Sequence, residues 1–170
     1  MADRRFNNFS EVGKSGLETW GGVVHADFLR ELRGKEAYKR YDEMRLNSPI
    51  IGGLLAAIEQ RVRGAQWNYV SQQGENDERI ALLERARDNM SVSWNDHISE
   101  ALTMLPFGFA LFEIVYERVG SEVLWRKFAI RGQDTIDRWL FDDTGGIAGA
   151  VQRAAPSYNT VTLPIQKCIL

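Results

Sequence analysis

The run Pro106-Phe-Gly-Phe-Ala-Leu-Phe-Glu-Ile-Val-Tyr-Glu-Arg-Val119, then Gly120-Ser121-Glu122, then Val123-Leu-Trp-Arg-Lys-Phe-Ala-Ile-Arg131, decides how the rest of the chain must be built. Two stretches rich in β-branched and aromatic residues flank a glycine-bearing turn, which is the pattern of an antiparallel hairpin. A three-residue loop, Gly120 to Glu122, sets Phe112 opposite Ile130 and Ile114 opposite Phe128, so that one face is almost wholly apolar. A two-residue loop would set Glu113 and Glu117 opposite Phe128 and Leu124 instead. Because a slip of one residue turns every side chain to the wrong face, the pattern predicts the three-residue loop. The other face carries Glu113, Glu117 and Lys127, within reach of diagonal ion pairs. A single hairpin is marginal alone, so other parts of the chain must cover its apolar face.

The chain has 170 residues, an ordinary apolar fraction and a net charge of −2. Such a length supports one domain with a real core. The near-neutral balance argues against a nucleic-acid coat or a membrane-surface protein. The single cysteine, Cys168, excludes an internal disulfide and a multi-cysteine metal site, and suits a reducing compartment. No apolar run reaches membrane-spanning length, and Met1-Ala-Asp-Arg-Arg5 lacks the apolar region of a secretory signal. A soluble, intracellular protein is expected, with no cofactor.

Upstream of the hairpin the chain reads as helical. Residues 1–22 are polar with isolated Phe6, Phe9 and Trp20, and are expected to form a flexible arm that orders against a neighbour. Residues 23–170 then form the domain. Asp27 can cap a first helical turn through Leu32. A helix over Lys35 to Leu46 carries Tyr38, Tyr41 and Met44 on one face among alternating charges. Ser48 and Pro49 open the next helix, whose stripe of Ile51, Leu54, Leu55, Ile58 and Val62 ends at Gly64. Gly52-Gly53 costs about 1 kcal/mol per glycine relative to alanine, which suggests a close backbone approach. Ala65 to Val70 alternates and predicts a strand. Helices follow over Asp77 to Met90 and Trp94 to Leu105, the second ending at Pro106. After the central hairpin, Arg138 to Phe141 and Ile147 to Arg153 pair across the turn Asp142-Asp-Thr-Gly-Gly146. Thr160 to Leu163 is a further short strand, and the apolar residues up to Leu170 suggest the front part of a longer protein. The fold class is α+β, with N-terminal helices packed on a mixed, largely antiparallel sheet built from hairpins.

Four fragments invite a chemical reading, and each has a plainer one. Gly13-Lys14-Ser15 is the end of a phosphate-binding loop, but Asn8 stands where that motif needs glycine. His97 and Glu100, at i and i+3, could face a common metal, yet no third ligand is in view. Asp143-Thr144-Gly145 is the triplet of retroviral-type aspartic proteases, and a solvated hairpin turn explains it fully. Tyr38 and Tyr41 could stack on nucleic acid, but a helix face packed on its neighbour is the more ordinary explanation. None completes a catalytic constellation, so no enzyme is expected.

The order of the pieces resembles tailed-phage portal proteins, most closely the Mu-like group. Tyr41-Asp-Glu-Met-Arg-Leu-Asn-Ser-Pro-Ile-Ile51 followed by Arg61-Val-Arg-Gly-Ala-Gln-Trp67 is similar to that group's helix pair. Phe107-Gly-Phe-Ala-Leu-Phe-Glu-Ile-Val-Tyr116 resembles its "G-F-S-hydrophobic-x-E-I-x-W" segment, with Tyr116 in place of the tryptophan. Asp137 to Asp142 with the Gly-Gly turn, and Leu163-Pro-Ile-Gln-Lys167, resemble its later hairpin and "I-P-x-x-K" strand. The resemblance implies a non-catalytic subunit of a dodecameric ring at a capsid vertex of the virion, assembled in the host cytoplasm. Its implied partners are copies of itself, capsid and scaffold proteins, terminase, tail or head-completion proteins, and double-stranded DNA passing through. It implies the wing, an α+β region, with the stem, clip and crown later in the chain. Phe6, Phe9, Trp20, Tyr38 and Tyr41 are candidate subunit-interface residues, and Arg61 and Arg63 candidate DNA contacts. A nucleic-acid-binding module is the alternative; it requires a contiguous positive patch.

Overall fold

The structure, a computed structural model, describes residues 19–20, 23–24, 29–71 and 78–170. The expected arm therefore lies mostly outside the described residues, as do Asp27 and the Gly13-Lys14-Ser15 fragment. Two short strands, β1 (Thr19–Trp20) and β2 (Val23–Val24), pair antiparallel. A 3-10 turn, Arg30–Leu32, stands where a helical turn was expected and leads into α1 (Gly34–Asn47). Helix α2 (Pro49–Arg63) follows almost at once. Its cap is as expected: the Ser48 hydroxyl accepts from the Ile51 amide, and Pro49 fills the first helical position, where no N–H is needed. Gly52 is where the two helices touch, since a Cβ there would stand 3.1 Å from the Arg45 carbonyl oxygen, whereas Gly53 faces open space.

The expected strand at Ala65 to Val70 is not one. These residues form neither helix nor strand, and their alternation serves two helices instead. Trp67 meets Trp94 edge-on at 6.3 Å, and Tyr69 lies under the Arg87 guanidinium. Helices α3 (Glu78–Asp88) and α4 (Trp94–Ala101) come next. The expected single helix up to Leu105 breaks after Ala101 and restarts as the one-turn α5 (Met104–Phe107). Proline is the cause. In an unbroken helix the Pro106 ring would clash with the Leu102 carbonyl, whereas inside the first turn of α5 its missing N–H costs nothing.

The hairpin is β3 (Leu111–Val119) and β4 (Glu122–Arg131). Phe112 pairs with Ile130 and Ile114 with Phe128, as the three-residue loop requires. Beyond Val115 the register shifts, Tyr116 pairs with Trp125 and Glu117 with Leu124, and the loop itself is the two residues Gly120 and Ser121. A bulge at Arg126 joins the two registers. It keeps Phe112, Ile114, Phe128 and Ile130 aligned while allowing a tight turn with Gly120 at φ +62°. The bulge carbonyl is put to use: Arg126 O accepts from the Ser91 amide at 2.8 Å, and the Asn89 side chain donates to Trp125 O and Glu117. These bonds, with the Arg85–Glu122 pair, fasten the end of α3 to the far half of the hairpin.

Two separate antiparallel sheets take the place of the single mixed one. The first has the order β4-β3-β8, where β8 (Cys168–Ile169) adds to β3 at Phe112 and Glu113. The second has the order β5-β6-β7, formed by β5 (Ile136–Phe141), β6 (Ile147–Arg153) and β7 (Thr160–Pro164). Gly149 allows β7 its close approach, since a Cβ there would stand 2.4 Å from the Leu163 carbonyl oxygen. The fold class is α+β.

Adjacent residues of β3 feed different cores. Leu111, 1% exposed, joins Ile136, Ala150 and Leu163 between the sheets. Phe112, 2% exposed, joins Ala110 and Phe128 under α4, with Met90, Trp94 and Ala101 packed against them. Gln133, itself buried, ties the two regions together by donating to the Thr103 hydroxyl at 2.8 Å and to Phe109 O at 3.0 Å.

Candidate assembly surface

The polar residues with apparent chemical promise sit in structural roles. His97 is 7% exposed, with its ring 4.7 Å from Phe112 and 5.0 Å from Phe128, so it belongs to the aromatic core. Burial pushes its pKa below the usual imidazole range. Among the described residues no group of three or more His, Cys, Asp or Glu side chains could hold a metal ion. Asp143 stands on an exposed hairpin tip, where its neighbour Asp142 organises the turn by accepting from Thr144 and Gly146. Those hydrogen bonds, that of the Thr144 hydroxyl first, hold the Asp142 carboxyl below its ordinary pKa. Glu113 is pulled down by the hydrogen bond from Arg131, and Lys167 lies 3.6 Å away; these, and not Lys127, are its ion-pair partners.

Of the candidate interface residues, Phe6 and Phe9 lie outside the described residues, and Trp20 falls in β1 opposite Val23. Tyr38 is half-buried and meets Phe107 and Phe109 edge-on at 6.2 and 6.1 Å. Burial, and then Tyr41, raise its hydroxyl pKa. Tyr38 and Tyr41 line a groove of about 530 Å³ between α1 and β5. The tyrosine face is thus the packed face of α1. The charges of α1 are interleaved: Arg40 pairs with Glu43, Arg45 with Asp42, and Lys35 with Asp137 of β5. Arg63 lies between Glu59 at 3.6 Å and Asp96 at 3.9 Å. Arg61 is exposed.

Among the described residues, α2 carries an uncovered apolar surface. Leu55 and Val62 turn inward, but Ile50 is 82% and Leu54 63% exposed, and Ile51 and Ile58 are exposed beside them. No residue of α2 is fully buried. The width of the apolar stripe is the sequence signal for this. With Ile50 included it spans about 140° of arc at 3.6 residues per turn, more than one neighbouring layer covers. Leu46, at the corner before α2, is exposed as well. Contiguous exposed apolar side chains of this kind mark a candidate interaction surface.

A family model described as the portal protein of Mu bacteriophage matches residues 38–170. The chain belongs to that family. The match starts within α1 at Tyr38 and takes in the rest of the helical layer and both three-stranded sheets. No curated protein matches the chain. Phage portal proteins are structural and assemble as oligomeric rings associated with the capsid, and the uncovered face of α2 in this portal chain accords with that. No described helix is long and apolar enough to cross a membrane.

Proposed function

We propose that this chain is a structural, non-catalytic subunit of a portal ring, forming its wing, at one vertex of the phage capsid. The ring, a dodecamer in this reading, conducts double-stranded DNA during packaging and ejection and connects head to tail. Capsid and scaffold proteins, terminase and tail or head-completion proteins are its partners. The family match over residues 38–170 carries the reading. The exposed flank of α2 supports it, because a ring subunit must present surface to its neighbours. Phe6, Phe9 and Trp20 of the arm are proposed to pack on an adjacent subunit. Any DNA contact by Arg61 and Arg63 is proposed to be sequence-independent and to weaken with salt, because phosphate contacts release counterions. The interleaved charges of α1 favour assembly over a nucleic-acid-binding module. Negative-stain images of the full-length protein are expected to show rings with a central hole; a field of single small particles contradicts the proposal.

A further inference from the structure

Helix α4 is anchored on either side and merely packed in between. Just before it, the Ser91 amide donates to Arg126 O at 2.8 Å, and just after it the Thr103 hydroxyl accepts from Gln133 at 2.8 Å. Between these anchors, Trp94–Ala101 makes no hydrogen bond to another element among the described residues. Its one ion pair to another element, Asp96 with Arg63 of α2, is 3.9 Å long and solvent-exposed, so it holds the helix weakly. What keeps α4 down is side-chain packing: Trp94 and Ala101 lie against the Phe112–Phe128 cluster, and the His97 ring stands between those two phenylalanines. That packing encloses two polar atoms with no hydrogen-bond partner, Trp94 Nε1 and His97 Nδ1, on rings whose centroids are 5.3 Å apart. Both would regain partners in water if the helix lifted.

A neutral imidazole carries one N–H and a charged one carries two, so protonated His97 must direct an N–H from Nδ1, and a full charge, into aromatic carbon. No acid is placed to receive it. On α4 itself, Asp96 is engaged by Ser93 and Arg63, and Glu100 has no ion pair among the described residues; burial, then Asp96, raise its pKa, so it loses charge as the medium turns acid. On α2, Glu59 faces Arg63. On the hairpin, Glu113 is held by Arg131 and Lys167, Glu117 by Asn89, and the cations Arg118, Arg126 and Lys127 are exposed. We propose that α4 is an acid-released cover: proton uptake by His97 lifts the helix off Phe112 and Phe128, turning about Ser91 and Thr103, while both three-stranded sheets stay folded. Burial sets the closed imidazole below its usual range, and opening returns it to about 6.5. The opening equilibrium is therefore flat above about pH 6.5. Below that it rises by up to about tenfold per pH unit, until the closed form itself takes up the proton.

Amide hydrogen exchange on the full-length protein reads such an opening directly. Between pH 7.5 and pH 5.0, after correction for intrinsic exchange, the amides of residues 97–102 are expected to lose up to about 30-fold in protection. They are also expected to exchange with a smaller urea dependence than the amides of β6, since opening one helix exposes less surface than unfolding the chain. His97→Phe keeps an aromatic ring in place without a titrating group, and its α4 amides are expected to hold their protection at pH 5.0. Should that variant fail to fold, the pH and urea dependence of the natural protein decide the matter. Unchanged protection of α4 at pH 5.0 overturns the proposal and shows that the surrounding rings accept the charge. Exchange of α4 and β6 at one rate with one urea slope overturns it as well, because His97 is then exposed only when the whole chain unfolds. A pH response undiminished in folded His97→Phe overturns it by assigning the opening to another group.

Discussion

His97 shows what the core demands of a single residue. Its ring fills space between Trp94, Phe112 and Phe128, and its Nδ1 has no hydrogen-bond partner. A charged imidazole is disfavoured there, so its folded pKa lies below its unfolded one. The unfolded chain then binds the extra proton first. The stability tied to neutral His97 is present above about pH 6.5 and is lost as pH falls from there through the folded pKa, with a slope of at most about 1.4 kcal/mol per pH unit. Urea titrations from pH 8 to pH 5 are expected to show a steeper loss for the natural protein than for His97→Phe; equal slopes would contradict it. The sequence pairs His97 with Glu100 as a possible ligand set, but spacing alone does not say which of the two turns inward. Nor does the alternation of β3 reveal that Leu111, on the charged face of the hairpin, is buried. That follows only when the second sheet packs against it.

At the scale of elements, legibility followed the strength of local signals. Caps and turns whose chemistry is local were readable: Ser48-Pro49 opening α2, and Asp142 to Gly146 turning β5 into β6. Features that depend on a distant partner were not. The bulge at Arg126 needs the Ser91 amide, and the alternation at Trp67 and Tyr69 needs α4 and Arg87. The joint between the helical layer and the second sheet is of the same kind, since Gln133 comes from the linker before β5 and its partners from the α4–α5 turn and the start of β3. Gln133→Ala strips two part-buried acceptors of their donor and is expected to cost about 1–3 kcal/mol, read as a lower urea midpoint at unchanged slope. A loss under a few tenths of a kcal/mol would show that water replaces the amide there.

For the whole molecule, the α+β class and the order of elements were legible because hydrophobic period, capping and turn residues agree along most of the chain. The surface that meets other molecules was legible only as an excess: an apolar stripe on α2 too wide for the layer beneath it. Among the described residues nothing covers that stripe, and in the proposed ring a neighbouring subunit does. In the proposed ring the arm adds a second hold, so deleting residues 1–22 from the full-length protein is expected to shift assembly toward single copies at low concentration. Undiminished assembly by the deletion variant would remove the arm from the interface. The ring itself is tested most directly by mass photometry of the undeleted full-length protein. A dominant species at twelve times the subunit mass is expected; a single peak at the mass of one copy, persisting as concentration rises, would contradict the account.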